Sequence, residues 1–415
     1  MTGRRVPPWV VGLGAGLVAG FLVRLPFLGG AGLTGDLRDF TAWAGEIGQN
    51  GLAHAYDLPL TFPPVMPWLW AGLGAAVPGF ADAAAGSGTA DPFVNAVIKL
   101  PAVLADLGLA VAISYALRSR RESAGWALLA GLATALQPGA VFISAVWGQF
   151  ESLYVLPIVV AFLLAVRGRA GWAGVALAVG LMTKPQALPL AIPFLAFALG
   201  RGGVRGLLSP AIAIAVTVGV LWAPFVVAGG PAKYAETLVA HSDLFGVVSL
   251  HAWNPWWLVQ LPFGIDQLVA DSNTLIGGAS FRLVGAAIFG MLALAVGAWV
   301  ARRPTAEGLA WGLVAISLAA FCALTTMHER YLFPAVMILP ILWPDRRAVL
   351  LWAAVSAVFL LNLVAATLYP LSGPGSILGA PLGVIGPVVV AVSFVAALLI
   401  LRRVGDERSA SMVPA

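Results

Sequence analysis

Charged residues are scarce in this sequence. Asp, Glu, Lys and Arg together make up 10% of its 415 residues, whereas soluble globular proteins carry about 25%. Cysteine occurs once, as Cys322 within an apolar run, so a disulfide framework and a thiolate metal site are both excluded. The sequence also lacks a P-loop, a glycine-rich dinucleotide fingerprint and an H-E-x-x-H motif. These absences exclude a soluble enzyme and give no sign of nucleotide binding.

Hydrophobic residues are correspondingly abundant in the sequence. They make up 60% of the chain, and the mean hydropathy is +0.94. That material suffices for roughly twelve helices of about 20 residues each. We therefore predict an all-α integral membrane protein, a polytopic bundle of about 12 transmembrane helices. It should form one domain over 1–403, followed by a disordered cytoplasmic tail over 404–415. The apolar runs are 7–28, 93–117, 124–146, 150–166, 170–183, 185–199, 207–228, 279–301, 307–326, 331–343, 347–369 and 380–401.

The distribution of Lys and Arg predicts the orientation. When the N-terminus is placed in the cytoplasm and the runs alternate, most of these charges lie in inner loops, as the positive-inside rule requires. We therefore predict a multi-pass protein of the inner (plasma) membrane with both termini in the cytoplasm. Residues 29–92 and 229–278 then form two long outer segments. The apolar stretch 62–80 either spans the membrane or forms a juxtamembrane or re-entrant helix. A full span would move the later Arg clusters outside, which favours a juxtamembrane or re-entrant helix. The net charge of +5 then belongs to the cytoplasmic rim and does not indicate nucleic acid.

Two apolar stretches are too short to cross the membrane fully. The stretch 170–199 must cross and return, which leaves about 22 Å per arm against about 30 Å of hydrocarbon. Its apex, at Lys184, is therefore expected below the outer surface. The same argument applies to 331–343, whose outer end carries His328 and Arg330. Ionised groups at such depth usually face a polar cavity and mark function.

The remaining charges in apolar surroundings have simpler interpretations. Arg24, Lys233 and Arg282 are interpreted as side chains that extend to the nearby interface. Lys99 and Asp106 are seven residues apart and share one helix face. They either line the cavity or neutralise each other.

Lys184, His328 and Arg330 suggest a chemistry. A recessed cationic cluster that opens outward would bind an anion, most naturally a phosphate. Asp36 or Asp39, from the first outer segment, would lie over it. A carboxylate near a phosphate leaving group suits group transfer, because it can accept the proton of an attacking hydroxyl. Nucleotide sugars are absent outside the cytoplasm, so an activated sugar there should be lipid-linked.

Several motifs carry a resemblance to a known family. The segments that carry it are 34–43, Tyr56 with 62–64, 147–152 with 183–186, 251–257, and 328–334. By these segments the chain resembles the GT-C superfamily of polytopic glycosyltransferases that use polyprenyl-phosphate sugars, with a particular likeness to bacterial proteins related to the second mannosyltransferase of glycosylphosphatidylinositol-anchor synthesis. Glu151 stands where the family usually has Asp, and Phe62 where it has Tyr. The resemblance covers most of the chain from about 34 to 335.

The resemblance implies roles for individual residues. Asp36 is the expected general base in a GT-C-like first outer loop, with Asp39 as the alternative. No resident cofactor or metal is implied as a requirement, although some members of the superfamily use a divalent metal. The residues expected to bind the donor phosphate are Lys184, His328, Arg330 and Lys99. Those expected to border the sugar and acceptor are Glu151, Gln149, Gln186, Glu329, Asn254, Trp256 and Trp43.

Other interpretations stay open for several of these positions. Asp36 could be an ordinary loop acid or a helix cap. The tryptophans at 253, 256 and 257 could form an aromatic belt at the membrane interface. His241 and His251 could be interface histidines or, less favoured, ligands of a metal.

The predicted function is an inverting transfer of a hexose, with mannose favoured, from a polyprenyl-phosphate donor to a hydroxyl of a glycolipid or glycan acceptor. The reaction would take place on the extracytoplasmic face. The main alternative is a polytopic transporter or flippase of sugars or lipid-linked sugars. A non-catalytic scaffold for polymer assembly is a further alternative, but it would not need recessed cations.

Overall fold

The structure is a computed structural model, and it describes residues 6–33, 35–260, 268–367 and 381–410. Helices account for almost all of the regular structure in these ranges. Four short strands form two small two-stranded sheets: β1 (Ser249–Leu250) with β4 (Met327–His328), and β2 (Thr274–Ile276) with β3 (Ala279–Ser280). The helices are α1 (Pro8–Arg24), α2 (Asp36–Asn50), α3 (Val65–Ala76), α4 (Phe80–Gly86), α5 (Pro92–Ser119), α6 (Ala124–Ala135), α7 (Pro138–Val141), α8 (Glu151–Val166), α9 (Ala170–Leu181), α10 (Ala191–Val226), α11 (Gly230–Leu244), α12 (Pro255–Gln260), α13 (Phe281–Arg302), α14 (Ala306–Ala323), α15 (Phe333–Ile338), α16 (Arg346–Thr367) and α17 (Pro381–Ala410).

Long apolar helices confirm that the chain is an all-α polytopic membrane protein. Among the described residues, eight helical segments are long and apolar enough to cross a bilayer. The predicted number of twelve stays a prediction, because several of the other runs form shorter helices. The segments are Pro8–Phe27, Pro92–Ser119, Ala124–Trp147, Pro185–Val226, Phe281–Arg302, Ala306–Ala323, Arg346–Thr367 and Leu382–Val404.

The segment Pro185–Val226 contains a reversal of the chain. A straight helix over α10 would be about 54 Å long, well beyond the hydrocarbon thickness of a bilayer. Gly202 and Gly203 have non-helical dihedral angles, and φ of Gly203 is +59°, a region that favours glycine. A Cβ atom on Gly206 would collide with the carbonyl of Ala198, whereas a straight helix separates such positions by about 12 Å. The chain therefore turns back on itself at Gly202 and Gly203, between the separate runs 185–199 and 207–228.

The run 331–343 does not form one continuous helix. It is divided into a 3₁₀ turn over Glu329–Leu332, the short α15, and a second 3₁₀ turn over Leu339–Leu342. Pro334 and Pro340 lie at the starts of the later two pieces, and proline cannot donate the hydrogen bond that continues a helix. The residues of α15 are fully buried within the protein.

A buried ion pair joins α1 to α5. Arg24 and Asp106 are both 0% exposed, and Nη2 of Arg24 lies 3.0 Å from Oδ2 of Asp106. Ser144 Oγ donates to the same oxygen at 2.6 Å, and Arg24 Nη1 donates to the carbonyl of Ala135 at 2.7 Å. The interpretation of Arg24 as a side chain reaching the interface is therefore wrong. Asp106 is neutralised by Arg24 and not by Lys99.

The other two basic residues assigned to the interface are also paired. Arg282 binds Asp271 through two hydrogen bonds of 2.9 and 2.8 Å. Lys233 pairs with Asp57 on the surface. Such paired side chains link helices α11 and α13 to their neighbouring loops.

The two predicted outer segments, 29–92 and 229–278, form short helices and strands that pack against the long helices. Segment 29–92 contains α2, α3 and α4, and α3 is about 18 Å long, too short to cross a bilayer. Segment 229–278 contains α11, β1, α12 and β2, while its residues 261–267 lie outside the described part. Because β1 pairs in parallel with β4, with Leu250 opposite His328, the second outer segment reaches the His328 region.

The predicted ends of the chain differ from the structure in one respect. Helix α17 continues to Ala410, into the tail 404–415 that was expected to be disordered. Residues 411–415 of that tail lie outside the described ranges, as do residues 368–380, which include the end of the run 347–369 and the start of the run 380–401.

Candidate active site

Asp36 lies where the first outer segment meets the long helices. It is the first residue of α2, and Gly35 before it takes the N-cap position with φ of +81°. Nε1 of Trp147 donates a hydrogen bond to Oδ2 of Asp36 at 3.0 Å, and the backbone N–H of Leu33 donates to the carbonyl of Trp147 at 3.2 Å. Asp36 is half-buried. Trp147 therefore orients the Asp36 side chain, and the N-cap position of α2 belongs to Gly35.

Asp39 occupies a different environment. Its side chain is 52% exposed and lies 3.5 Å from the guanidinium of Arg38. Surface pairs of this kind hold a side chain only weakly. Between the two candidate bases, the geometry favours Asp36.

A π-helical turn places Trp147. The turn covers Phe142–Trp147 and ends at Gly148, whose φ is +93°. The N–H groups of Gly148 and Gln149 both donate to the carbonyl of Ile143, at 3.0 and 2.9 Å. Turns of this kind are rare and often lie at functional sites. The chain then enters α8, which begins at Glu151.

Two cations share one buried carboxylate. Nζ of Lys184 lies 2.6 Å from Oε1 of Glu151 and donates to Oε1 of Gln149 at 3.4 Å. Nε of Arg330 lies 3.4 Å from the same Glu151 oxygen. Glu151 is 0% exposed, Lys184 is 3% exposed, and the Arg330 side chain is 12% exposed. The recessed cations predicted from the short apolar arms thus meet around Glu151.

The segment His328–Arg330 completes the cationic side of the site. Nη1 of Arg330 donates to Oε1 of Glu329 at 3.0 Å and contacts Nδ1 of His328 at 3.2 Å. Arginine can only donate, so Nδ1 is the acceptor and Nε2 of His328 carries the proton. Burial, followed by the positive charges of Arg330 and Lys184, holds the pKa of His328 well below its usual range. The imidazole is therefore neutral at neutral pH.

Trp147 contacts both Asp36 and the cationic side of the site. Its ring lies 5.2 Å from Cζ of Arg330, and its N–H binds Asp36. Tyr331, beside Arg330, accepts a hydrogen bond of 2.7 Å from Nε2 of Gln186. Trp147 and Tyr331 lie in the resembling segments 147–152 and 328–334, but the sequence predicted a role for neither. The predicted residues that the structure brings together are Asp36, Gln149, Glu151, Lys184, Gln186, His328, Glu329 and Arg330.

Lys99 departs from its predicted role in binding phosphate. Its ammonium donates to three backbone carbonyls, those of Phe27, Gly30 and Ala145, at 3.0, 2.8 and 2.9 Å. An ammonium has three donors, and all of them are used here. Lys99 therefore connects the end of α1 to the π-helical turn and does not face the cations.

Replacing Lys99 by Met should lower stability more than donor affinity. The change leaves three buried carbonyls without a partner, and each such loss costs about 1–3 kcal/mol. We expect a clear fall in the thermal midpoint in detergent, with the affinity for polyprenyl phosphate in the folded fraction within about twofold of wild type. A large loss of affinity in a variant that unfolds at the wild-type temperature would restore the predicted phosphate role.

Asn254 and Trp256, which were predicted to border the sugar and acceptor, lie outside the cluster. Asn254 is buried and donates to the carbonyl of Phe321 at 2.9 Å, while its Oδ1 accepts from the N–H of Trp257. Trp256 donates to the carbonyl of Ala323 at 2.8 Å. Both side chains thus fix the second outer segment against α14, and the proposed sugar contacts of these residues are not supported by the geometry.

Trp43 stands one layer behind the site. It packs against Phe62 with ring centroids 6.1 Å apart, and the Phe62 ring lies 6.0 Å from Nζ of Lys184. Phe150 lies closer to the ammonium, at 5.3 Å. An aromatic wall therefore borders Lys184 on the side of the first outer segment, and Trp43 supports that wall.

The geometry of the site is accompanied by neither a metal-binding group among the described residues nor a match to a known family or curated protein. Within the ranges that the structure describes, no three His, Cys, Asp or Glu side chains form a group that could hold a metal ion. No family model matches the chain, and no curated protein matches it.

Proposed function

We propose that the protein is an inverting glycosyltransferase. It would move a hexose, with mannose favoured, from a polyprenyl-phosphate donor to a hydroxyl of a glycolipid or glycan on the extracytoplasmic face. One observation supports this most strongly: a half-buried carboxylate, Asp36, is linked through Trp147 to the buried cations Arg330 and Lys184.

The cationic side is suited to a phosphate. Nη2 of Arg330 makes no hydrogen bond within the described part of the chain, and Lys184 uses two of its three donors. The neutral imidazole of His328 adds one further donor, its Nε2–H group. Charge-assisted hydrogen bonds from such groups are the strongest that a phosphate receives from side chains. In the absence of donor, Glu151 and Glu329 balance the cations and make their burial tolerable.

Unpaired buried atoms next to the cations support a sugar site. Oε2 of Glu151, the hydroxyl of Tyr154 and Oε1 of Gln186 are buried without a hydrogen-bond partner among the described residues. An unsatisfied buried polar atom costs about 1–3 kcal/mol. Tyr154 lies one helical turn after Glu151 and so on the same face of α8. Sugar hydroxyls would provide the missing partners.

The chemistry follows from this arrangement. The acceptor hydroxyl attacks the anomeric carbon from the face opposite the phosphate, and Asp36 takes its proton. The bond between the anomeric carbon and the phosphate oxygen breaks, and its electron pair leaves with polyprenyl phosphate. Lys184, Arg330 and His328 stabilise the charge that develops on that leaving group. A single displacement inverts the configuration, so a β-linked donor gives an α-linkage.

A transfer assay tests the proposal. Purified protein in detergent is incubated with synthetic polyprenyl-phosphate mannose and a membrane lipid extract, and mass spectrometry follows the gain of a hexose. Donors with glucose and pentose are run in parallel. A mass gain supports the proposal. Binding of donors without any transfer would favour the transporter, which is then tested by flux of a lipid-linked sugar in proteoliposomes.

Replacing Lys184 by Gln should weaken donor binding. The loss of one charge-assisted hydrogen bond corresponds to a rise in Kd for polyprenyl phosphate of about 10- to 100-fold. Arg330 remains to neutralise Glu151, so the variant should stay monodisperse. Lys233→Gln is the matched control, because Lys233 pairs with Asp57 at the surface, and it should keep the wild-type Kd. An unchanged Kd in the Lys184 variant would remove this residue from the phosphate site.

A further inference from the structure

Trp147 contacts both halves of the site through different parts of one ring system. Its indole N–H donates to Oδ2 of Asp36 at 3.0 Å. Its face lies 5.2 Å from Cζ of Arg330, within the range of a cation–π interaction. The side chain is 2% exposed. It therefore stands between the carboxylate and the guanidinium as a rigid spacer.

The backbone around Trp147 is fixed to the first outer segment. The carbonyl of Trp147 accepts from the N–H of Leu33, three residues before Asp36. Gly148 follows with φ of +93°, and a Cβ atom there would lie 3.1 Å from Leu37. Main chain and side chain of Trp147 thus hold the same segment at two points.

Buried polar groups hold the π-helical turn from its other side. Lys99 donates to the carbonyl of Ala145 within the turn. Ser144, also in the turn, donates to Asp106, which is neutralised by Arg24. Such contacts leave Trp147 little freedom to move relative to α1 and α5.

We propose that Trp147 is the positioning residue of this site. Its N–H orients the Asp36 carboxylate toward the acceptor, and its ring face holds Arg330 toward the leaving phosphate. One rigid side chain thereby sets the separation between base and leaving-group site, and it prevents the two charges from forming a direct ion pair. This inference rests on the proposed glycosyl transfer.

Two substitutions separate the two contacts. Trp147→Phe keeps a ring face beneath Arg330 but removes the N–H. It should lower kcat by about 10- to 100-fold with donor KM within about twofold. Trp147→Leu removes both contacts, and donor KM should then also rise by about 2- to 30-fold. Trp68→Phe is the matched control, because Nε1 of Trp68 donates at the same 3.0 Å to the carbonyl of Leu221, away from the site, and it should retain wild-type kcat and KM.

The kinetic split distinguishes positioning from a merely structural role. A structural role would lower the folded fraction and leave kcat and KM of the remaining enzyme unchanged in both variants. Wild-type kcat in folded Trp147→Phe, or an equal rise in donor KM for the Phe and Leu variants, would overturn the inference. Thermal midpoints and size-exclusion profiles of all variants establish the folded fraction.

A measurement without turnover keeps the inference separate from the proposed function. The ¹⁵N-indole signal of Trp147, assigned by its loss in Trp147→Phe, should shift in Asp36→Asn and stay unchanged in Asp82→Asn. A signal that does not respond to Asp36→Asn would overturn the inference. Absence of transfer by the wild-type protein with every donor would instead reject the proposed function, and the indole signal and the binding of polyprenyl phosphate by the Phe and Leu variants would then decide the inference.

Discussion

Asp36→Asn should abolish most of the transfer activity while the protein stays folded. A general base contributes about 10²- to 10⁴-fold to a rate, so we expect kcat to fall within that range. Oδ1 of the new amide can still accept from Nε1 of Trp147, so the position of α2 and the thermal midpoint should change little. Kinetics with polyprenyl-phosphate mannose measure the effect. We expect the Kd for polyprenyl phosphate to stay within about threefold of wild type, because Asp36 is not among the residues proposed to bind the phosphate.

Two further variants make that experiment decisive. Asp82→Asn is the matched control: Asp82 lies in the same outer segment, exposed, with a hydrogen bond only to Gln49 among the described residues, and it should retain full activity. Asp39→Asn tests the alternative base. Loss of activity in the Asp39 variant together with a fully active Asp36 variant would move the base to position 39 and contradict the geometry.

Arg24→Met should strongly destabilise the protein. It leaves the fully buried carboxyl group of Asp106 without its partner, and breaking a buried ion pair from one side costs about 3–5 kcal/mol. The free energy of unfolding, measured by titration with a denaturing detergent in mixed micelles, should fall by that amount. The effect should exceed that of Arg38→Met, since Arg38 is 77% exposed and surface pairs contribute about 0–1 kcal/mol.

The double variant separates charge from packing. Arg24→Met with Asp106→Leu removes both charges, and it should recover much of the lost stability because apolar side chains of similar size often replace a buried pair at little cost. Equal destabilisation in the single and double variants would mean that packing of Arg24, rather than neutralisation of Asp106, stabilises this junction. A single variant as stable as wild type would contradict the buried pair itself.

Glu151 neutralises the two buried cations of the candidate site. It stands where the resembling family usually has Asp, and here Oε1 lies 2.6 Å from Lys184 and 3.4 Å from Arg330. Both distances depend on a side chain that reaches between α8, the apex after α9 and the segment after α14. Without donor it balances the two cations, and with donor it would share them with a phosphate.

Much of the candidate site was accessible from the sequence because charges are so few. An ionised side chain in an apolar run needs a cavity or a partner, whatever the fold, so Lys184 and Arg330 stood out by their position alone. The short apolar arms around them also predicted that they would be recessed. The structure places both around one buried carboxylate, and the sequence motifs had placed Glu151 nearby.

By itself, the sequence determined the class of protein: scarce charge and long apolar runs allow little other than a helical membrane protein, because each buried backbone group must find its hydrogen bond within the chain. Only the tertiary structure decided which partner each polar group takes. Arg24 pairs with Asp106 rather than reaching the interface, Lys99 binds three carbonyls rather than facing the cavity, and Trp147 joins Asp36 to Arg330. These partners lie 46 to 183 residues apart in the chain. Helix packing brings them together, and the individual apolar runs do not encode that packing.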